Sequence, residues 1–388
     1  MRIAVLSRRF NPAGGGTERD LIVTCDYLVR AGHDVTVYAA DIRGVSKALH
    51  TRRAWAVPFG RALRLVSFAY LAAIQARNGG AELTISFGRT VDAEVQRCGG
   101  GVYKSYLKAA HRWRGPFGAR LMQLSPYRQL QAHIESRGFT SPNLRLVLAV
   151  SQAVSEDLVA NFAIAAHKVV TLYNGVDLDR FRPVKDVAAK QHLRRQFGLP
   201  PSTRVIAFAG HGFARKGLGF LLQAWPQLKG EPWLVVAGQD HERGVFRRLA
   251  ARLGLVPRVV FLGNVADIAQ LYQAVDGLAL PTLFEAFGNV VVEAMASGLP
   301  VLTSTSAGVA EIIPQQLRSY LVNNPTDPEE LAARLQALLA APADVGATAR
   351  ATAEEFTWER YGARLVDLIE KCRRSAQATA EQRDREGA

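Results

Sequence analysis

The sequence predicts an α/β protein of two Rossmann-like domains, each a doubly wound parallel sheet, which face each other across a central cleft. Short apolar runs alternate with helical patterns, and this alternation is typical of βαβ units and therefore of parallel sheets. The series stops at a charged segment near the middle of the chain and then begins again. At 388 residues the chain is also too long for one ordinary hydrophobic core. The carboxyl ends of both sets of strands are expected to point into the cleft.

The first domain is predicted to span residues 1–173. It opens with a strand, a glycine-rich loop, a helix and a second strand. The predicted strands are Arg2–Ser7, Asp34–Ala39, Leu83–Phe87, Leu144–Val150 and Lys168–Tyr173. The predicted helices after the opening unit are Ala62–Ala76 and Tyr103–Glu135, the second of which is expected to break near Gly115.

The second domain is predicted to span residues 174–356, and its first part, Asn174–Leu199, has the composition of a linker. Its strands are predicted at Val205–Ala209, Trp233–Ala237, Val259–Leu262, Leu278–Pro281 and Val301–Thr303. A final helix, Trp358–Cys372, follows completion of the second sheet. The polar tail, residues 375–388, is expected to be frayed.

Composition narrows the possible compartments and partners. The three cysteines lie far apart, which disfavours a disulfide framework or zinc site and fits a reducing compartment. No apolar run suits a signal peptide or a transmembrane helix, so we expect a cytoplasmic protein. Residues 43–137 contain 16 Lys or Arg against four Asp or Glu, an excess of 12 out of a net +14. Such a field attracts nucleic acid, an anionic membrane surface or a phosphorylated substrate.

The loop after the first strand contains three consecutive glycines, Gly14, Gly15 and Gly16. Without side chains, this backbone could approach a ligand closely, and the following helix could present N–H groups to an anion. A tight turn with positive φ would also explain glycine, but three in succession exceed what a turn requires. We therefore favour a phosphate contact. The loop lacks the G-x-G-x-x-G pattern and no acidic residue closes the second strand, which argues against a dehydrogenase.

Arg215 and Lys216 lie in a glycine-flanked loop between a predicted strand and a helix. Two cations near a helix N-terminus are unfavourably placed relative to the helix dipole. An anionic ligand would resolve this conflict, since Arg offers a planar fork and Lys a point charge. The alternative is a solvated surface pair.

Glu285 and Glu293 stand eight positions apart, one before a predicted helix and one within it. Glu293 lies among apolar residues, where a carboxylate is costly to bury unless it is hydrogen-bonded or paired. Carboxylates accept two hydrogen bonds and so suit the vicinal hydroxyls of a ribose or hexose. A helix cap or a structural ion pair would be the simpler explanation.

Other polar candidates are weaker. Asp177 and Asp179 have the D-x-D spacing of some metal sites but lie in the predicted linker, and no other cluster suggests a metal, so none is expected. His33 is better explained as part of a helix end. His111 and His211 could contact a ligand or be merely packed or solvated.

These motifs together resemble the retaining GT-B glycosyltransferases of family 4. The resemblance rests on the E-x7-E spacing, the Arg-Lys-Gly triplet at 215–217, the GGGTE loop and NGVD at 174–177, and it extends from Arg2 to about Leu368. The stretches RRFNPAGGGTERD, HGFARKG and VAGQD are most similar to members that add glucose from UDP-glucose to the lipopolysaccharide inner core. The resemblance implies a GT-B fold whose last helix, within residues 357–374, crosses back to the first domain.

Transferred to the matching positions, the resemblance also implies roles for individual residues. Arg215 and Lys216 would hold the donor diphosphate, Glu293 the ribose hydroxyls and Glu285 the hydroxyls of the transferred sugar, which makes Glu285, Lys216 and Arg215 the predicted catalytic residues. The other implied donor-binding residues are Gly15, Gly16, Ala286, Phe287, Gly288, Asn289 and Val265. The UDP-sugar is a substrate, and no cofactor is implied.

The acceptor side is less well defined, and its candidates are Asp20, Tyr103 and His111. Many family members carry His or Asp near residues 97–103, where this sequence has three glycines and Tyr103, so no catalytic base is assigned. Retaining members are described with front-face attack, in which the leaving diphosphate receives the acceptor proton. That mechanism needs positive charge at the phosphates more than it needs a base.

We therefore predict a retaining transferase that moves a hexose from a UDP-sugar to an anionic, lipid-linked saccharide, in peripheral contact with an anionic membrane through residues 43–137. The mixed aromatic and basic residues there also suit an ordinary amphipathic helix. The alternatives are a transferase for another polysaccharide or glycolipid, a GT-B-shaped sugar-nucleotide epimerase, and a nucleic-acid-binding protein, for which the sequence offers no reading module. Donor sugar, acceptor, linkage and oligomeric state remain open at this stage.

Overall fold

A computed structural model describes residues 1–12, 14–44 and 49–386, with side chains up to residue 374. The chain divides into two compact units. The first unit comprises Met1–Ser105, Met122–Asn174 and the residues from Trp358 onward, and the second comprises Tyr106–Leu121 and Gly175–Thr357. Residues 45–48, within the predicted membrane-contacting segment, and residues 387–388, in the predicted tail, lie outside the described ranges.

Each unit contains one all-parallel sheet. The strands are β1 (Arg2–Phe10), β2 (Asp34–Ile42), β3 (His50–Arg53), β4 (Leu83–Ser86), β5 (Val95–Cys98), β6 (Leu146–Ala149), β7 (Val169–Thr171), β8 (Val205–Ala209), β9 (Trp233–Ala237), β10 (Val259–Gly263), β11 (Gly277–Leu280), β12 (Val301–Ser304) and β13 (Leu321–Val322). The first sheet has the order β3-β2-β1-β4-β5-β6-β7, and the second has the order β10-β9-β8-β11-β12-β13. The predicted fold class, two Rossmann-like parallel-sheet domains, is confirmed.

The helices lie between and after these strands. They are α1 (Gly16–Arg30), α2 (Arg61–Asn78), α3 (Tyr103–Ala109), α4 (His111–Leu124), α5 (Pro126–Phe139), α6 (Gln152–Asn161), α7 (Val187–Gln196), α8 (Leu218–Ala224), α9 (Arg243–Arg252), α10 (Ile268–Ala274), α11 (Asn289–Ala296), α12 (Pro328–Leu339), α13 (Ala343–Glu354) and α14 (Trp358–Glu386). Short 3-10 turns occupy Ala166–Lys168, Trp225–Gln227, Gly308–Ile312 and Gln315–Tyr320. The predicted break at Gly115 is a kink within α4, where φ is 67° and ψ is 171°.

The last helix belongs to the first unit, as predicted. Buried side chains of α14, among them Tyr361 and Leu365, share one core with the strands and α1 of that unit. The Tyr361 hydroxyl lies 2.7 Å from Oγ1 of Thr24 in α1, so a buried hydrogen bond accompanies the apolar contact. Removal of these aromatic and aliphatic side chains from water is the main force that holds α14 in place.

Several sequence-based assignments need correction. The predicted linker contains α7, whose N-terminus is capped by Asp186 through a 2.8 Å bond from the Ala189 N–H, a sequence signal that the charged composition obscured. The predicted frayed tail continues the backbone of α14 to Glu386, since it is rich in Ala, Gln, Glu and Arg, which favour helix. The short strands β3, β5 and β13 were not predicted.

One segment lies in a different unit from the one that the sequence suggested. Tyr106–Leu121, placed by the sequence in the first domain, packs with the second unit. Arg112 Nη1 donates a 2.9 Å hydrogen bond to the Leu283 carbonyl, and the Tyr106 ring meets the Phe284 ring edge-on at 5.7 Å. The order of the elements along the chain does not show that this segment packs with the second unit. No helix in the described part of the chain is both long enough and apolar enough to cross a membrane.

Candidate functional site

The second sheet reverses its direction of growth at β8 and β11. From β8 the chain continues outward through β9 and β10, whereas β11, on the other side of β8, leads to β12 and β13. The loops after β8 and β11, residues 210–217 and 281–288, therefore leave the same edge of the sheet side by side. In open α/β sheets this switch point is where ligands bind. All three predicted catalytic residues lie on these two loops.

The loop after β8 is held in a fixed conformation. Asp240, after β9, accepts a 2.7 Å hydrogen bond from the Phe213 N–H in the middle of the loop. Gly217 closes it with φ at +81°, and a Cβ atom there would lie 2.0 Å from the Pro281 carbonyl oxygen. Only glycine satisfies both conditions. The loop thus meets the neighbouring loop directly and presents Arg215 and Lys216 at the switch point.

Backbone hydrogen bonds join the two loops. The Arg215 carbonyl accepts a 2.8 Å bond from the Leu283 N–H and a 3.3 Å bond from the Thr282 hydroxyl. The Arg215 guanidinium in turn donates to the Phe284 carbonyl. This network of hydrogen bonds fixes the backbone immediately before Glu285.

A three-residue charged cluster forms where the loops meet. Glu285 Oε2 lies 2.6 Å from Lys216 Nζ and 3.1 Å from Arg215 Nη1. Lys216 is buried, at 6% exposure, while Arg215 and Glu285 keep partial access to solvent. The cluster carries one net positive charge and uses only one carboxylate oxygen for both cations, so Oε1 can accept from another donor.

Burial and the neighbouring charges shift the pKa values of this cluster. Burial would raise the pKa of Glu285, but Lys216 and Arg215 outweigh it and lower that pKa to about 2. Burial, assisted by the charge of Arg215, lowers the pKa of Lys216 below its usual 10.5 although Glu285 opposes the change. Near neutral pH the Glu285 carboxylate is therefore ionised. As the pH rises, Lys216 loses its proton at a lower pH than an ordinary lysine would.

The remaining predicted donor-binding residues of this unit lie on the same edge of the sheet. Ala286, Phe287 and Gly288 are buried, and Gly288, with φ at +116°, immediately precedes α11 at Asn289. No side chain in the described ranges caps that N-terminus. Val265 is half-buried in the segment after β10. The helix end thus presents backbone N–H groups beside a cationic cluster, an arrangement that suits an anion.

Glu293 differs from its sequence-based description. The sequence predicted a buried carboxylate, whereas the side chain is half-exposed. Its apolar neighbours, such as Val292 and Ala294, point to other sides of α11 because successive helical residues are rotated by about 100°. Its charge nevertheless acts on the site, since it helps to keep Lys216 protonated.

Several residues that support this site were not predicted. Asp240 anchors the first loop, as described above. The hydroxyls of Ser304, the last residue of β12, and Ser306, just after it, both donate to the Thr282 carbonyl and so tie the second loop to the adjacent strand. The only sequence signal for them was the position of small polar residues directly after apolar runs.

Asp240, His241 and Glu242 form the one group in the described residues whose ligand atoms are close enough to hold a metal ion. Asp240 already accepts hydrogen bonds from two backbone N–H groups, and Glu242 pairs with Arg114 at 2.5 Å. These contacts explain the cluster without a metal.

In the first unit, Gly15 and Gly16 begin α1. Gly15 is the N-cap, with φ at −79° and ψ at −161°, and neither glycine has positive φ. A Cβ atom at Gly15 would meet no atom within 4 Å. Neither backbone conformation nor crowding within the described chain therefore requires glycine at position 15. A tight turn therefore does not explain Gly15, although Gly14 does close a turn onto the Asn11 carbonyl at 2.9 Å.

Asp20 has a structural environment. It is 5% exposed, and its Oδ2 lies 3.3 Å from Arg97 Nη2 and 3.0 Å from Asn174 Nδ2. Arg97 is equally buried and also bonds to Asn174. A buried carboxylate with these partners holds β5 to α1, and this structural role explains Asp20 without an acceptor contact.

The other two acceptor-side candidates lie in different units. The Tyr103 N–H donates to Glu135 at 2.7 Å, the ring lies 4.5 Å from the Arg89 guanidinium, and the side chain lines a large pocket of the first unit. His111, at the start of α4, is exposed and belongs to the second unit, where its Nδ1 lies 2.9 Å from the Lys108 carbonyl. The structure supports Tyr103 as a pocket residue and gives His111 no such setting.

Two family models match parts of the chain. Residues 203–341 match the model described as glycosyl transferases group 1, and residues 105–180 match glycosyltransferase family 4. The first match contains both loops of the charged cluster. These matches agree with the resemblance seen in the sequence.

Curated relatives and solved structures add detail. The chain is 30% identical over 243 residues to an uncharacterised glycosyltransferase of Methanocaldococcus jannaschii (62% of this chain, 56% of that protein). It is 34% identical over 233 residues to a D-inositol 3-phosphate glycosyltransferase of Xylanimonas cellulosilytica (57% and 56%). The chain thus spans about half the length of the curated relatives it matches.

Among solved structures, WaaG, a glycosyltransferase involved in lipopolysaccharide biosynthesis, superposes with a TM-score of 0.81 at 21% identity, over 95% of this chain and 99% of that one. Anabaena HepE in complex with UDP and glucose gives a TM-score of 0.71 at 21% identity, over 96% and 100%. At these identities the likeness establishes the fold, and the fold is GT-B.

Proposed function

We propose that this protein is a retaining glycosyltransferase that moves a hexose, with glucose the first candidate, from a UDP-sugar to a lipid-linked saccharide such as the lipopolysaccharide inner core. Its nearest functional counterpart would be lipopolysaccharide-core glucosyltransferase I. The observation that carries the proposal is the cluster of Lys216, Arg215 and Glu285 at the switch point of the second sheet. The family matches and the nucleotide-sugar ligand of HepE support it.

Each residue of the cluster has a role in this proposal. Lys216 and Arg215 bind the donor diphosphate, and Glu285 uses its second oxygen for a hydroxyl of the transferred sugar. Glu293 binds the ribose, while the N-terminus of α11 faces phosphate and sugar. Gly15 and Gly16 leave the backbone at the start of α1 without side chains, which suits contact with a phosphate group. Cations and N–H groups placed before the reaction stabilise the charge that develops on the leaving diphosphate.

Retention follows if the acceptor attacks from the face that the diphosphate leaves. The acceptor oxygen forms a bond to the anomeric carbon as the bond to the UDP oxygen breaks. The acceptor proton passes to the departing diphosphate, which becomes UDP. Arg215 and Lys216 stabilise the negative charge on that diphosphate throughout, so no side-chain base and no metal ion enters the proposal.

Nucleotide sugars provide the direct test. UDP-glucose, UDP-galactose, UDP-N-acetylglucosamine and GDP-mannose are compared by thermal shift, since a ligand present at about 100 times its Kd stabilises by roughly 2.7 kcal/mol. We expect the largest shift with a UDP-hexose. No shift with any of the four would contradict the proposal. Incubation with UDP-glucose alone separates a transferase from an epimerase, which would convert the sugar nucleotide without an acceptor.

The depressed pKa of Lys216 predicts a pH effect on donor binding. As the pH rises toward that pKa, which lies below 10.5, the ammonium group loses its proton and its attraction for the diphosphate. UDP affinity should therefore begin to decline at a lower pH than it would if Lys216 had an ordinary lysine pKa. The matched protein is Lys216→Arg, which stays charged. Ionisation of UDP itself is common to both proteins, so superimposable titration-calorimetry profiles would rule the effect out.

We also propose that the protein works at the cytoplasmic face of a membrane. Phe117 and Leu121 follow an i, i+4 pattern along the part of α4 that belongs to the second unit, and they are 76% and 56% exposed. Arg120 lies beside them. An exposed apolar stripe with a neighbouring cation suits an anionic bilayer surface. Co-sedimentation with vesicles of 30% anionic lipid should decrease when Phe117 and Leu121 become Ser, and unchanged sedimentation would refute this surface.

A further inference from the structure

The first unit contains a large pocket of its own. It has a volume of about 1000 Å³ and opens at the carboxyl edge of the first sheet, between the ends of β1, β2 and β4. Because β1 and β4 are neighbours from which the chain grows in opposite directions, this is the switch point of that sheet. The helices α1, α2 and α5 supply the other walls. Position and size are those of a ligand site.

The lining of this pocket is strongly basic. It contains two carboxylates, on Glu18 and Asp41, and six arginines, which gives an excess of four positive charges. The arginines are Arg8, Arg9, Arg43, Arg61, Arg64 and Arg128. These arginines come from three separate elements, β1, α2 and α5, and from the loop after β2, and they line one concave surface. A concave surface of one sign concentrates the field at its centre.

Few of these guanidinium groups are neutralised locally. Arg43 pairs with Asp41 at 3.1 Å, but Arg64 donates to the Ala40 carbonyl, Arg61 lies 4.8 Å over the Tyr127 ring, and Arg128 reaches the Tyr103 hydroxyl. These neutral partners orient the arginines without cancelling their charge. These three side chains are thus held in place while their positive charge remains available to a ligand.

Two further features show that the positive charges around this pocket are placed unfavourably when no anion is bound. The surrounding protein and the nearby cation Arg89 lower the pKa of Arg8, which has no ion-pair partner within the described ranges. In addition, α2 begins with Arg61 and has Arg64 in its first turn, without any acidic residue there. A helix N-terminus favours anions, so two cations at that position add repulsion. A bound anion would relieve both.

From this pocket we infer that the acceptor is a saccharide carrying two phosphate groups, bound by the arginines of the first unit. This inference rests on the proposed function in making the ligand the acceptor. A phosphomonoester carries about −1.5 to −2 charges near pH 7, so two of them match an excess of four positive charges. Three oxygens on each phosphate also suit several guanidinium forks at once. The volume leaves space for sugar rings between the phosphates.

The inference is tested with defined probes and titration calorimetry at fixed salt concentration. The probes are fructose 1,6-bisphosphate, fructose 6-phosphate, fructose and citrate, which separate two phosphates from one, from none and from carboxylates. The pocket variant is R8Q/R61Q. Both arginines are exposed, and neither forms an ion pair with an Asp or Glu in the described part of the chain, so the variant should fold normally. The matched control is R52Q/R53Q, an equal loss of charge on exposed residues of the same unit that do not line the pocket.

We expect the bisphosphate to bind at least about tenfold more tightly than the monophosphate, and fructose and citrate to bind weakly, since each charge-assisted contact contributes at least a factor of about ten. R8Q/R61Q should lose about tenfold or more, and R52Q/R53Q less than twofold. Equal losses in both variants would mean general charge attraction and overturn the inference. Citrate binding as tight as that of the bisphosphate would overturn the assignment to phosphate.

The same proteins keep this inference distinct from the proposed function. Bisphosphate binding should persist in Lys216→Ala, which removes a cation of the second unit, and its loss there would place the probe at the wrong site. UDP-glucose should still stabilise R8Q/R61Q against heat. If the wild-type protein binds the bisphosphate but no nucleotide sugar, the phosphate-binding pocket is supported and the transferase proposal is contradicted.

Discussion

Replacement of Lys216 by alanine should abolish measurable sugar transfer and leave the fold intact. Lys216 is buried, lies 2.6 Å from Glu285, and is one of the two cations that we propose bind the donor diphosphate. Loss of one preorganised group that stabilises developing charge costs about 10² to 10³ in kcat. The variant also leaves Glu285 with only Arg215, which weakens the position of the carboxylate. We therefore expect a loss at the upper end of that range.

The measurement is release of UDP from UDP-glucose with an acceptor present, together with the thermal shift given by UDP. Lys229→Ala, an exposed lysine of the same unit, is the matched control and should behave as wild type. Circular dichroism checks that the variant is folded. Turnover within a factor of about ten of wild type would remove Lys216 from the catalytic group. Glu285→Ala should give a similar loss, because its removal leaves two adjacent cations without their counter-charge.

Replacement of Asp20 by alanine should destabilise the protein without a specific effect on donor binding. Asp20 and Arg97 are both buried, and Arg97 would lose its only described carboxylate partner. Breaking a buried ion pair by removing one member costs about 3–5 kcal/mol, since the other charge stays out of water. For a unit of this size that corresponds to a decrease in Tm of roughly 10 °C.

Asp26→Ala is the control for Asp20→Ala. Asp26 lies on the same helix, but its partner Arg30 is exposed and 3.7 Å away, so the substitution should cost less than about 1 kcal/mol. The two variants are compared by urea unfolding and by UDP binding below the transition. Equal stability of the two proteins would show that the Asp20–Arg97 pair contributes little. A stable Asp20→Ala protein with impaired transfer would instead restore an acceptor-side role.

Local signals in the sequence sufficed for the fold class, and they also singled out the three residues that the structure brings together in the second unit. Arg215, Lys216 and Glu285 were identified from their positions after apolar runs, and glycines marked the loops. Their ion pairing could not be predicted, since 69 and 70 residues separate the partners along the chain. Which loops become neighbours depends on the order of the strands in the complete sheet, and local sequence patterns do not give that order.

The same limit applies to the first unit. Composition revealed an excess of positive charge between residues 43 and 137, yet the pocket also uses Arg8 and Arg9, and only some of the basic residues line it. The family resemblance suggested Asp20 as an acceptor-side residue, and its pairing with Arg97, 77 positions further on, could not be predicted from local sequence. Pairwise contacts over such distances are set by tertiary packing, on which local patterns carry no information.

The return of α14 to the first unit has a consequence for the order of folding during synthesis. The core of that unit includes Ile3 near the start of the chain and Ile369 near its end. Every residue of the second unit precedes Trp358, so the ribosome delivers the second unit complete while the first still lacks its last helix. Until α14 emerges, the apolar face that it will cover, with Leu21, Cys25 and Leu28 of α1, has no such cover. Synthesis of the first unit therefore begins before that of the second unit, but its core can be completed only after the second unit has been synthesised.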